Sequence, residues 1–336
     1  MISNKNPATS PRLPLIPAAF FGIVLGLAGL SNSWRSAVSV WQLPPIFGEA
    51  IGFAALAVWM IVTSLYALKW IFAAEQARAE AEHPVQCCFI GLAGVSTMLI
   101  AIVLLPYRVS IAWVLFIAGA LFTVLFAVWR TGSLWHGGRD PATTTAVLYL
   151  PIVAGSFTTA IAASTVGHAD WGQLAFGAGF FSWLAIESVL LNRMLTSQEL
   201  AVPLRPTLGI QLAPPAVGCA AYMGVTTGAP DIISHAMLGY AVLQALLLTR
   251  LLPWILKQPF APSYWGVTFG ATALATSAIR MIGRGDAGAV SALAPLLFVL
   301  ANLIVGGIAM GTIYLIVKGR IIPSTAPQQP PVAKSS

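Results

Sequence analysis

The stretch Ser263-Tyr-Trp-Gly-Val-Thr-Phe-Gly-Ala-Thr-Ala-Leu-Ala-Thr-Ser-Ala-Ile-Arg280 decides how the chain is read. It approaches the roughly 20 residues that a helix needs to cross a bilayer, yet most of it is Gly, Ala, Ser and Thr. A helix that faces lipid gains transfer free energy from Leu, Ile, Val and Phe, and few of these are present here. Small residues suit close approach to another helix, or the wall of a narrow space. The mid-span aromatic Phe269 is therefore read as lying across a pore that this segment lines. A packed central helix, with Phe269 as ordinary core, is the alternative reading of the same residues.

Outward from this stretch, the chain is 336 residues long, 58% hydrophobic and only 8% charged. A soluble domain carries about 25% charged residues, so the composition points to a helical integral membrane protein in a lipid bilayer. Barrel strands would alternate apolar and polar residues, and these runs do not. Spans are expected at about 13–30, 45–69, 85–105, 110–129, 145–166, 172–192, 207–226, 232–255, 263–281 and 289–316. Leu13–Leu30 has the length of a secretory signal, but with nine spans after it we read it as an uncleaved first helix. Residues 1–12 and the Pro- and Gln-rich tail 321–336 read as disordered, leaving one transmembrane domain over 13–320.

The net charge of +7 comes from Lys and Arg scattered through short connections, which argues for topology and against nucleic acid. Thirteen of the 17 fall on the side of the N-terminus, so both termini are expected to be cytoplasmic. Cys87, Cys88 and Cys219 lie in apolar runs, and the four histidines are widely separated. No metal site, cofactor motif or catalytic triad can be assembled from these spacings, so an enzyme is not expected.

Odd and even spans differ. Gly, Ala, Ser, Thr, Cys and Pro make up 12 of 20 residues in Thr207–Thr226, but 8 of 20 in Gly172–Leu191. This pattern suggests five helical hairpins around a central pore, with odd helices inside and even helices outside. Pro151, Pro214 and Pro215 would bend inner helices and present backbone dipoles to an ion. Gly22, Gly26, Gly266 and Gly270 permit close helix contact. With Phe157 and Thr272 they complete the candidate pore lining. Charged residues within spans are costly. Glu187 with Arg250, and Glu49 with Arg280, lie at similar depths and are the candidate structural ion pairs. Glu187 as a proton-coupling carboxylate is the sharper alternative.

Pro17-Ala-Ala-Phe-Phe-Gly22, Tyr149-Leu-Pro151, Thr207-Leu-Gly-Ile-Gln-Leu-Ala-Pro-Pro215, Leu251-Leu-Pro-Trp254 and Trp265-Gly-Val-Thr-Phe-Gly270 carry a family resemblance. In order and spacing they resemble the voltage-dependent anion channel family. That family holds TehA-type tellurite-resistance proteins, the slow anion channels of plant guard cells and the malic acid transporters. The resemblance implies ten helices around a pore, a homotrimer in a bacterial inner membrane, and conduction of small inorganic or organic anions. It also implies a pore-occluding phenylalanine on the ninth helix, which falls on Phe269. A coupled transporter of C4-dicarboxylates, or a tellurite or drug exporter, is the alternative function. The short termini depart from the plant members and are not expected to carry kinase-controlled gating.

Overall fold

The structure, a computed structural model, describes residues 14–322; residues 1–12 and 323–336, expected from the sequence to be disordered, lie outside them. Among the described residues every regular element is helical. There are eleven α-helices: α1 (Phe21–Trp41), α2 (Pro45–Phe72), α3 (Ala74–Glu82), α4 (Leu92–Leu104), α5 (Val109–Leu134), α6 (Gly155–Thr165), α7 (Ala169–Thr196), α8 (Ala213–Val225), α9 (Ile232–Ile255), α10 (Thr268–Gly283) and α11 (Ala289–Val317). Eight helical stretches are long and apolar enough to cross a membrane. The helices containing Ser31–Ser36 and Thr268–Ser277 fall below that mark because hydroxyl and small side chains replace Leu and Ile.

Burial separates two kinds of helix. The most apolar windows of Gln86–Leu104, Ala146–Thr165 and Val202–Val225 are 83%, 72% and 83% buried, whereas those of α2, α5, α7, α9 and α11 are 22–28% buried. The exposed helices turn bulky side chains outward, such as Val114, Leu121, Leu125 and Val128 on α5, as expected of a surface solvated by acyl chains. The expected contrast between inner and outer helices is therefore present. α1 packs on α4, α4 on α6, α6 on α8, α8 on α10, and α10 back on α1, closing a ring.

Each helix of the ring is entered through a tighter turn. The 3₁₀ segments Ala18–Phe20, Gln86–Gly91, Val202–Leu212 and Pro262–Val267 precede α1, α4, α8 and α10. A 3₁₀ turn at Ala146–Tyr149 and a π turn at Leu150–Ala154 precede α6. Proline contributes in most of them: Pro151 and Pro206 remove a backbone donor within a helical run, whereas Pro17 and Pro262 stand at the start of theirs, where the N–H is not needed. The exposed helices run for 24–29 residues without such an entry. At the other end of the ring, the chain reverses through residues with left-handed backbone, among them Gly167 (φ 91°) and Gly285 (φ 97°).

Two boundaries differ from the sequence reading. The first helix does not stop at Leu30 but continues to Trp41. Its polar half is satisfied by neighbours: Ser33 Oγ donates to Thr272 O (2.8 Å) and lies 2.7 Å from Thr276 Oγ1, and Arg35 pairs with Glu49. The charged connection after α2 contains a helix, α3, whose Glu80 accepts from Lys69 Nζ (2.8 Å), Tyr66 Oη (3.1 Å) and Ala18 N (2.8 Å). That clasp fixes the entry to α1.

Candidate functional site

Two cavities lie along the axis of the ring, and all five ring helices or their entry turns contribute to each. The first, about 40 Å³, is walled by Gly22, Tyr149, Phe157, Pro214 and Gly266 among others. The second, about 30 Å³, is walled by Asn32, Leu99, Ile161, Ala220, Thr272, Thr276 and Arg280 among others. Phe269 and Val217 belong to both walls. Phe269 is 7% exposed and thus stands between the two spaces. Beyond the second cavity, a wider vestibule of about 350 Å³ opens among Ser36, Ser39, Ser164, Thr165, Arg280 and Arg284.

The ring closes tightly around these spaces because its residues are small. A Cβ at Gly26 would strike Thr268 Oγ1 and the Trp265 ring, and one at Gly270 would come within 2.8 Å of Ala213 N. Gly26 and Gly270 therefore serve contact between helices, while Gly22 and Gly266 reach the first cavity. Pro151 and Pro215 are buried outside both walls, where they shape the turns that enter α6 and α8. The Thr272 hydroxyl donates back to Thr268 O (3.0 Å), so its own helix satisfies the donor.

The ion pairs expected from depth are not the ones formed. Glu49 accepts from Arg35 Nη2 (2.7 Å) and Nε (3.0 Å), and from the Tyr107 hydroxyl. The extension of α1 to Trp41 brings Arg35 beside Glu49 and leaves Arg280 elsewhere. Glu187 meets no cation either. It is 7% exposed and accepts from Trp183 Nε1 (2.9 Å), Gln211 Nε2 (2.9 Å), Tyr240 Oη (2.6 Å) and the Tyr149 hydroxyl. With Gln244 Nε2 at 3.5 Å, five neutral donors replace Arg250, which lies on the exposed side of α9. Arg280 has no carboxylate within 4 Å among the described residues, and its only charged neighbour is Arg284.

Sequence reading missed Tyr149, Val217, Asn32 and Arg280 as wall residues. Tyr149 and Val217 look like ordinary apolar-run residues, and only the ring places them inside. Asn32 was lost with the second half of the first helix. Among the described residues, no cluster of His, Cys, Asp and Glu has a metal-binding arrangement.

Comparison with known proteins identifies the family. Residues 16–313 match a family model described as voltage-dependent anion channel. The chain is 35% identical over 306 residues to the tellurite resistance protein TehA homolog of Haemophilus influenzae, covering 91% of this chain and 92% of that one. It is 26% identical over 286 residues to the guard cell S-type anion channel SLAC1 of Arabidopsis thaliana, covering 80% and 50% respectively. An uncharacterized transporter of Methanocaldococcus jannaschii is 24% identical over 241 residues. A match of this extent, over residues that form the whole ring, places the chain in the voltage-dependent anion channel family.

Proposed function

We propose that the protein is a passive anion channel whose ten helices cross the membrane as five hairpins, with the ring helices enclosing the conduit and Phe269 closing it. The observation that carries this reading is the position of Phe269 between two axial cavities, each walled by all five ring helices. Both termini are cytoplasmic in this reading, because 13 of 17 Lys and Arg residues then lie on the inner side. The conduit wall is mostly apolar. Such a wall holds ions weakly, and conduction requires weak sites. Relatives named as S-type anion channels support anions as the permeant class.

The test is electrical. Purified protein in planar bilayers under chloride or nitrate gradients should pass little current as wild type, and at least tenfold more as Phe269→Ala. Background current from a folded, inserted Phe269→Ala protein would remove the gate assignment.

A second reading, a coupled exporter or dicarboxylate transporter, draws on one observation. Buried Glu187 accepts a hydrogen bond from Tyr149, which lines the first cavity. Saturable flux that follows a proton gradient and disappears in Glu187→Gln would favour that reading over a channel. A relative named for tellurite resistance makes tellurite one of the anions to include.

A further inference from the structure

Resting on the channel reading above, we propose that Arg280 and Asn32 form a binding subsite for small monovalent inorganic anions, on the vestibule side of Phe269. The first observation is an uncompensated cation. Arg280 lines both the second cavity and the vestibule, and has neither a carboxylate within 4 Å nor a hydrogen-bond acceptor among the described residues. Of the other charges at this end, the exposed Arg108 and Asp170 line neither space, and most of the rest are engaged. Arg35 is paired with Glu49, Asp286 with His235 (2.6 Å), Asp231 accepts from Tyr222, and Arg284 donates to Met223 O. A guanidinium has five N–H donors, and a half-buried one that the protein leaves without an acceptor can offer them to an anion in the cavity it lines.

The second observation is independent. Asn32, on the neighbouring helix α1 in the wall of the same cavity, has a carboxamide with no protein partner among the described residues. Its NH₂ is a neutral donor that an anion can accept from without being held too firmly. A guanidinium and an amide lining one cavity from two adjoining helices make a composite site.

The third is the field of the ring. Four of the ring helices, α1, α6, α8 and α10, enter from the 3₁₀ side and have wall residues of the vestibule at or near their far ends. Each brings a C-terminus carrying roughly half an elementary negative charge. Left alone, that end would repel anions. Arg280, in the last turn of α10, offsets it where the conduit narrows to Phe269.

Size restricts the ligand. A cavity of about 30 Å³ holds roughly two water-sized species. Chloride or nitrate fits this space, and a C4-dicarboxylate does not.

Chloride-35 line broadening of full-length protein in dodecyl maltoside tests the subsite without requiring conduction. Wild type should broaden the chloride line, and nitrate should reverse the effect. Arg280→Gln should reduce the excess width at least threefold, Arg280→Lys should keep most of it, and Asn32→Ala should lower it. Asn32→Asp places a carboxylate in the wall of the cavity that Arg280 lines and should abolish the broadening, which decides the matter should Arg280→Gln fail to fold. Equal broadening by wild type and Arg280→Gln, or by wild type and Asn32→Asp, overturns the proposal. A silent Phe269→Ala in bilayers beside normal chloride titration would remove the channel reading and leave the subsite standing.

Discussion

Glu187 gathers donors from three parts of the chain: Tyr149 before α6, Gln211 before α8, and Tyr240 on α9. A carboxylate buried in this way stays where its charge is solvated by fixed hydrogen bonds, since an unpaired ion in an apolar interior is costly. Removing it leaves several buried donors without an acceptor. Glu187→Ala should therefore lose on the order of 3 kcal/mol, seen as a lower unfolding temperature in detergent. Glu187→Gln, which keeps an acceptor, should lose less. Gly29 is a second single-residue constraint. A Cβ there would meet Thr272 Oγ1 and come within 3.2 Å of its Cβ, so Gly29→Val should separate α1 from α10 and lower thermal stability more than Gly239→Val. Gly239 has nothing within 4 Å of such a Cβ.

At the scale of elements, the repeated 3₁₀ entry sets the geometry of the ring, and one entry depends on a histidine. His83 Nδ1 accepts from the backbone N–H of Val85 and of Gln86, both at 3.1 Å, and so caps the turn that starts Gln86–Gly91. Only the neutral ring can accept there. Desolvation by burial holds the His83 pKa below its ordinary value of 6.5. A histidine with a depressed folded pKa contributes stability that is present above its unfolded value and lost as the pH falls through the folded one. Amide exchange at Val85 and Gln86 should accordingly accelerate between pH 6.5 and pH 5, beyond the intrinsic pH effect. His83→Asn, which supplies a cap that does not titrate, should remove that excess. The polar half of α1 makes a related point about legibility. Ser31, Ser33 and Arg35 look like the end of a span because hydropathy scores side chains as though they faced lipid. Here Ser31 donates to Gly48 O (2.8 Å) and Ser33 to Thr272 O; such contacts between elements leave no trace in a local average.

For the whole molecule, the charge distribution makes a topological prediction. Reporter fusions at either terminus should fluoresce in the cytoplasm as green fluorescent protein and stay inactive as alkaline phosphatase. The reverse result would invert the assignment of Lys and Arg to the two faces. The trimer implied by the family resemblance should appear as three protomers in mass photometry of protein in nanodiscs.

Class and layering were legible in the sequence, because they follow from quantities that add along the chain. The 58% hydrophobic content forces helices that satisfy their own backbones in lipid. The excess of small residues in alternate spans reports which helices must approach one another closely. Phe269 is the one bulky ring midway along a run of Gly, Ala, Ser and Thr, and in the fold it lines both cavities. Partner choice was decided only by the tertiary structure. Glu49 found Arg35 instead of Arg280, and Glu187 found tyrosine, tryptophan and glutamine instead of arginine, because a side chain's partner depends on helix rotation and on where each helix ends. A few ångströms of relative shift exchange one partner for another, and no single-chain pattern encodes that distance. The same contacts leave Arg280 facing the cavity, where its charge remains available.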